Sequence, residues 1–265
     1  MKRPFDYFTT GESLIRINLL DDKMYIFADK PILMSNSLST ISSCTINPHQ
    51  CRCFEMLTEN ERNLLESNSV RVKYRKKEII CKQGSFSSHV VHVEKGLAKV
   101  YLDDGDNTLI LKIIPQGNLL GLTSISEDYN TYQYSAMAYV DTEVRQIDIN
   151  IFRQLIESNA RFAREVIDIL SSNSVQIYGR FFCLTHKQAY GRLADILLCL
   201  ANRIFKSQEF ELPLSRKDLA ELSGMSQETV VRILKNFDDE GMIRLEGKSI
   251  NIIEYEKLEQ ISRKG

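Results

Sequence analysis

The stretch SRKDLAELSGMSQETVVRILKNFDDEGMIRLEGKSI, residues 215–250, decides how the C-terminal third of the chain folds. Ser215 precedes Asp218 by three residues, the spacing of a capping box in which hydroxyl and carboxylate each satisfy a free backbone N–H. Leu219-Ala220-Glu221-Leu222 continues that helix, and Ser223-Gly224-Met225 turns the chain. Ser226 caps a second helix predicted to run through about Glu240. Residues 242–245, 246–248 and 249–253 then read as strand, turn and strand. Two short helices joined by a glycine-containing turn and followed by a hairpin predict a winged helix-turn-helix. On the second helix Val230, Ile233, Leu234 and Phe237 share the inward face, which leaves Gln227, Glu228, Val231, Arg232 and Lys235 outward. That outward set suits the major groove. Arg bonds guanine O6/N7 bidentately, Glu accepts from cytosine N4–H2, Gln pairs with adenine or holds a phosphate, and Val touches a thymine methyl. A mixed-charge amphipathic surface helix is the plainer alternative. Residues 186–265 carry 13 Lys and Arg against 13 Asp and Glu, so the arrangement and not bulk charge carries the reading.

Immediately upstream, Leu193, Ile196, Leu197, Leu200 and Ile204 form one face of a helix. Before it, Ala163, Ile167, Leu170, Ser174, Ile177, Phe181 and Leu184 recur at alternating steps of four and three, an a/d seam that keeps one stripe toward a partner helix. Phe162, Val166 and Ile169 form a second stripe aimed elsewhere. Two stripes on one helix favour a dimer seam over simple core packing, so a homodimer is expected. From about Cys53 to Ile149 the period changes to two, plainest in Leu97-Ala98-Lys99-Val100-Tyr101-Leu102, where Ala98, Val100 and Leu102 share a face. Gly84, Gly96, Gly105, Gly117 and Gly121 punctuate these short runs, as turns do in an antiparallel barrel or roll. Residues 1–43 mix aromatic, charged and hydroxyl side chains without clear period. They read as an extension of unknown role, with Met34 as an alternative start.

The predicted fold class is therefore α+β: an N-terminal extension (1–43), an antiparallel β-roll (44–158), a long dimerisation helix (159–185), a winged helix-turn-helix (186–255) and a C-terminal tail (256–265). Of the 265 residues 43% are hydrophobic and 26% charged, and the formal net charge is -1, which supports a packed core and excludes a polybasic coat for nucleic acid. No apolar run approaches the ~18 residues that span a bilayer. The start MKRPFDYFTT lacks the apolar core of a secretory signal. A cytoplasmic protein without membrane contact is expected. The six cysteines are then expected to be reduced.

At these residues the chain resembles the CRP/FNR family of bacterial transcription regulators. The winged-helix stretch quoted above, TLILKIIPQGNLLGL in the strand region and FRQLI before the long helix follow the family's domain order over roughly residues 53–255. The resemblance implies a cyclic-nucleotide-binding-like jelly roll as effector domain, a dimer, a palindromic double-stranded DNA operator, RNA polymerase as partner and no catalysis. It places Glu228 and Arg232 at the main base-reading positions and Gln227 and Val231 at the variable ones. Ser215 and Arg216 fall at backbone-phosphate contacts, and Ser226, Thr229 and Lys235 complete the expected DNA-binding set. No phosphate-binding Walker loop, GxSxG or HExxH occurs.

The effector pocket departs from the cAMP-binding pattern. Gly121 is followed by Leu122 where those members place Glu, and Ser135-Ala136 is preceded by Tyr134 where they place Arg. Ile177-Tyr178 replaces the pair that contacts adenine. A buried cyclic phosphate without its Arg lacks charge compensation, so binding of cAMP or cGMP is not expected, and the pocket is expected to be self-filled or to hold something less polar. Cys44, Cys51 and Cys53 are candidate metal ligands because the FNR branch holds an oxygen-sensing [4Fe–4S] centre through N-terminal cysteines. Their spacing departs from that branch, and its fourth ligand falls on Arg145; Cys81 or His49 are the available substitutes, and bystander thiols are the default. An iron–sulfur redox sensor is thus the alternative within the class. A thiol enzyme or protein-interaction module retaining a helix-turn-helix is the alternative outside it. His186 beside Cys183 is a weak nucleophile pair without an orienting carboxylate.

Overall fold

The computed structural model describes residues 7–10, 13–20, 23–28 and 51–264, with side chains described from 51 to 263. Met34, Cys44 and His49 lie outside them. The N-terminal residues form a unit of their own, an antiparallel three-stranded sheet in the order β1 (Tyr7–Thr10), β2 (Ser13–Leu20), β3 (Lys23–Ala28). The expectation of an aperiodic extension is corrected here. The register sets Ile15 opposite Ala28, Ile17 opposite Ile26 and Leu19 opposite Met24, an apolar set at alternate positions.

The described part of the second unit opens with a 3-10 turn, Cys53–Met56, and α1 (Glu59–Ser67), which a Thr58/Glu61 capping box starts. The roll follows as two four-stranded antiparallel sheets. One runs β5 (Ile79–Cys81), β10 (Ser135–Ala138), β7 (Leu97–Asp103), β8 (Thr108–Pro115). The other runs β4 (Ser69–Tyr74), β11 (Thr142–Asp148), β6 (His89–Lys95), β9 (Leu119–Leu120). The turn glycines sit at positive φ, and at Gly96 the need is steric too, since a Cβ there would lie 2.8 Å from the Thr142 backbone. Val91, Val93, Ala98, Val100, Ile114, Tyr134 and Ala136 fill the space between the sheets.

α2 (Ile149–Ser158) leads into the 27-residue α3 (Ala160–His186) through Asn159, whose side chain caps α3 and donates to Met56 O. The second stripe of α3, Phe162, Val166 and Ile169, is buried with Leu119, Ile147 and Phe152 against the roll. Among the described residues much of the a/d stripe is left uncovered: Ile167, Ile177 and Phe181 are 60%, 61% and 68% exposed. Leu184, at the end of that stripe, instead meets the Gly224 turn.

The C-terminal module contains α4 (Ala189–Leu200), a π-turn at Ala201–Phe205, β12 (Glu209–Glu211), α5 (Arg216–Ser223) and α6 (Gln227–Asp239). β13 (Ile243–Glu246) and β14 (Ser249–Ile252) form the wing, with β14 central in the sheet β12-β14-β13. The expected tail is corrected: residues 255–264 form α7 (Tyr255–Lys264), which packs on α4 and buries Leu258 completely.

The two-residue alternation of β7 hides a strand buried on both faces. Ala98 and Val100 face the roll interior, while Leu97 and Tyr101 join Ile110, Ile113, Leu219 and Leu222 in a core shared with the C-terminal module. Leu102, assigned to the inner face with Ala98 and Val100, is instead exposed at the strand end. Lys99 lies in the same junction. Its Nζ sits 2.9 Å from Asp218 Oδ1 and 3.3 Å from Glu221 Oε2, and 5.5 Å from the Tyr101 and Tyr139 ring centres. Burial pushes the Asp218 carboxyl up, but hydrogen bonds from Ser215 and Lys99 outweigh it and hold it below its ordinary value. Lys99→Met is expected to lower the unfolding free energy by about 3 kcal/mol, because it strands two carboxylates in a dry junction. Adding Asp218→Asn and Glu221→Gln is expected to restore most of the loss, as urea denaturation of the series will measure.

Candidate functional site

Residues 215–250 fold as the capping pattern dictates. Ser215 Oγ accepts from Asp218 N at 3.1 Å and Ser215 N donates to Asp218 Oδ2 at 2.9 Å, completing the box that starts α5. Gly224 ends α5 in the left-handed region at φ 61°, which sends the chain into α6. Val230, Ile233, Leu234 and Phe237 are buried and seat α6 on the module. Gln227, Glu228, Val231, Arg232 and Lys235 are all exposed and together line one shallow concavity on the opposite face. Among the described residues no carboxylate pairs with Arg232 or Lys235, so both cations are available to a partner. The Glu228 carboxyl is held below its ordinary value by its own backbone N–H and the Ser226 hydroxyl, so it is an acceptor at neutral pH.

Four members of the expected DNA-binding set, Ser215, Arg216, Ser226 and Thr229, make bonds within the protein. Ser226 Oγ caps α6 by accepting from Thr229 N at 3.2 Å and is 3.1 Å from Thr229 Oγ1. Ser226 and Thr229 therefore position the helix rather than present free hydroxyls. Arg216 is half-buried and donates to the Gly247 carbonyl at the wing turn, 3.4 Å away, which sets its guanidinium between α5 and the wing.

In the roll, Gly121 lies at φ 85°, yet its N–H is taken: the Tyr134 hydroxyl accepts it at 2.7 Å. Leu122 and Tyr134 are buried. Burial pushes the Tyr134 phenol up, so it stays neutral. A cavity of about 200 Å³ remains between the roll and α3, lined by Val100, Leu111, Lys112, Leu119, Leu122, Thr123, Tyr134 and, from α3, Leu170, Asn173, Ser174, Gln176, Ile177 and Arg180. Three of the expected effector residues, Leu122, Tyr134 and Ile177, line it. Ser135 does not, since its Oγ accepts from Gln83 N. Tyr178 does not either and is 66% exposed, because the next residue along a helix turns by about 100°. Lys112, Gln176 and Arg180 were missed. The signal was present as a polar row, Asn173, Gln176 and Arg180, at helical spacing beside the seam.

Cys51 and Cys53 lie together before α1. The Cys53 thiol is pushed up by burial and by Cys51, while Cys51 is lowered chiefly by its hydrogen bond from Cys53. Cys81 belongs to the roll interior, a different cluster from that of Cys53, and is pushed up to about 12 by burial. Arg145 is bound to Glu66 and Glu94. Cys44 is outside the described residues; among those described, no three His, Cys, Asp or Glu side chains are placed to hold a metal ion. His92 is pushed down to about 4 by burial and then by Arg145, and meets the Phe54 ring edge-on. No described helix is long and apolar enough to cross a membrane.

An antiparallel roll, a long helix and a winged helix-turn-helix whose second helix is exposed on one face give the architecture of a DNA-binding regulator of the helix-turn-helix class. Residues 71–159 match the cyclic nucleotide-binding domain model and residues 191–261 the Crp-like helix-turn-helix domain model. The chain belongs to the CRP/FNR family of DNA-binding transcription regulators. It is 28% identical over 235 residues to Electron transport regulator A of Shewanella oneidensis, across 84% of this chain and 93% of that protein. It is 29% identical over 189 residues to the cAMP-activated global transcriptional regulator CRP of Escherichia coli, across 67% of this chain and 87% of that one. The structure of FixK2 from Bradyrhizobium japonicum shares the fold with a TM-score of 0.67 at 23% identity, over 73% of this chain and 96% of that one.

Arg232→Ala is expected to weaken specific duplex binding by roughly 1–3 kcal/mol and to relax preference at a guanine. Glu228→Ala should relax preference at one base pair, and Arg216→Ala should weaken all sequences about equally. Titrations against matched and scrambled duplexes distinguish the three.

Proposed function

We propose that the protein is a homodimeric regulator that reads a palindromic operator with paired α6 helices and does not respond to cAMP. The observation that carries the reading is the single exposed concavity formed by Gln227, Glu228, Val231, Arg232 and Lys235. Such a face offers donors and acceptors to base edges without first breaking internal pairs. Dimerisation is supported by the a/d stripe of α3, in which Ile167, Ile177 and Phe181 stay largely exposed among the described residues. A second copy of the helix covers them and sets two recognition helices about one DNA turn apart. Bound duplexes selected from a random library test the operator. Recovery of a palindromic consensus is expected, and enrichment of no sequence overturns the reading.

Insensitivity to cAMP is supported by the Tyr134 hydroxyl on the Gly121 N–H and by the buried Leu122. By the family resemblance, Tyr134 and Leu122 stand at the positions that supply the phosphate and ribose contacts in cAMP-binding members. Leu170→Glu is expected to give a monomer in sedimentation and to abolish palindrome binding, since two like carboxylates would face each other in a low-dielectric seam. Calorimetry with millimolar cAMP is expected to show no saturable heat and no change in operator affinity. Micromolar binding would show that the Tyr134 contact yields.

A further inference from the structure

The cavity between the roll and α3 is apolar over most of its wall, yet two cations enter it without a counter-ion. Lys112, on β8 opposite Val100, donates to the neutral Asn173 Oδ1 at 3.0 Å. Arg180 is 6% exposed; its Nη2 donates to the carbonyls of Ile110 and Leu222, while Nε and Nη1 are buried without a hydrogen-bond partner. Gln176, one helical turn away and 9% exposed, has neither amide atom bonded. Among the described residues no carboxylate pairs with Lys112 or Arg180. Asp195, whose field reaches Arg180, is committed to Lys187 at 3.3 Å and Ser262 at 3.0 Å. Buried charges are ordinarily paired, and buried polar atoms ordinarily bonded. Burial accordingly pushes the Lys112 amine down to about 8 and the Arg180 guanidinium down to about 10. All three residues line the same cavity.

We propose that this cavity binds a small organic carboxylate with an apolar body, its anionic end held between Lys112 and Arg180 with Gln176 beside them, and its body against Leu111, Leu122 and Ile177. A planar carboxylate accepts from a guanidinium edge and an ammonium together. The volume of about 200 Å³ lies little above the ~150 Å³ that holds benzene and below the range for nucleotide-sized ligands. A phosphate is disfavoured because the loop that would cradle it has spent the Gly121 N–H on Tyr134. The site also reaches the DNA-binding module. Arg180 Nη2 bonds the Leu222 carbonyl in the last turn of α5, so an anion that draws on Arg180 acts on the helix preceding α6. That regulatory consequence rests on the operator-binding reading above, and by linkage the ligand and the operator alter each other's affinity by one common factor.

Calorimetry on the full-length protein tests the site with hexanoate and benzoate against hexanol, benzyl alcohol and inorganic phosphate. Expected is saturable binding of a carboxylate, about tenfold or more tighter than its matching alcohol, with the preference lost in Lys112→Met. Leu122→Trp, which fills the cavity from its apolar side, should abolish binding of acid and alcohol alike, and thermal unfolding confirms that each variant is folded. Alcohols binding as tightly as acids, phosphate binding in preference to both, a preference that survives Lys112→Met, or a folded protein indifferent to both carboxylates at millimolar concentration each overturn the proposal. Operator binding measured on the same preparation separates the two readings. Carboxylate affinity belongs to the cavity whether or not any duplex is bound, and a duplex-binding protein indifferent to carboxylates sinks this inference alone.

Discussion

The Lys99 ammonium sits where two apolar surfaces close on each other, and much of the molecule is arranged around satisfying it. β7 lies between the roll interior and the C-terminal module, so both of its faces are dry. A lone charge in that position would be prohibitive, and Asp218 and Glu221 come from α5 to meet it. Asp218 is also the capping carboxylate of α5. One side chain therefore starts the first helix of the DNA-binding motif and anchors that helix to the roll. The apolar contacts of Leu97, Tyr101, Ile110 and Ile113 supply area, while the ion pairs select one register for it. Charge burial of this kind contributes specificity of placement more than net stability.

Helical arithmetic distributes three tasks around α3. Phe162, Val166 and Ile169 fasten it to the roll, Ile167, Ile177 and Phe181 leave an apolar stripe outward, and Asn173, Gln176 and Arg180 turn a polar row toward the cavity. Because these faces lie on one rigid rod, a shift at any of them is carried to the others. Arg180 extends the connection to the end of α5, and Leu184 extends it to the Gly224 turn. The cavity and the α5–α6 turn thus meet at a few side chains on the last two turns of the helix.

The Gly121 loop of the roll is engaged by the protein's own side chains. Gly121 has a left-handed backbone, and its N–H bonds the Tyr134 hydroxyl. Tyr134 and Leu122 are both buried beside that loop. What remains is a small apolar cavity with one cation from β8, Lys112, and one from α3, Arg180.

Local pattern carried much of the organisation. Capping boxes, turn glycines and the switch from a two-residue to a 3.6-residue period depend on neighbours in sequence, so α5, α6, the strand region and the long helix were legible before any coordinates. The outward face of α6 was legible for the same reason: four inward apolar residues leave the others nowhere else to point. The alternation within residues 13–20 and the helical spacing after Tyr255 were also present, masked by mixed composition. Contacts between distant segments were not legible. That β7 is buried twice, that Lys99 meets Asp218 across 119 residues, and that Lys112 and Arg180 share one cavity follow from the packing of separate elements. Tyr178 illustrates the limit, since its neighbour Ile177 reaches the cavity and it does not. Periodicity assigns a residue to a face of its own helix or strand; which element covers that face is settled only when the whole chain closes on its core.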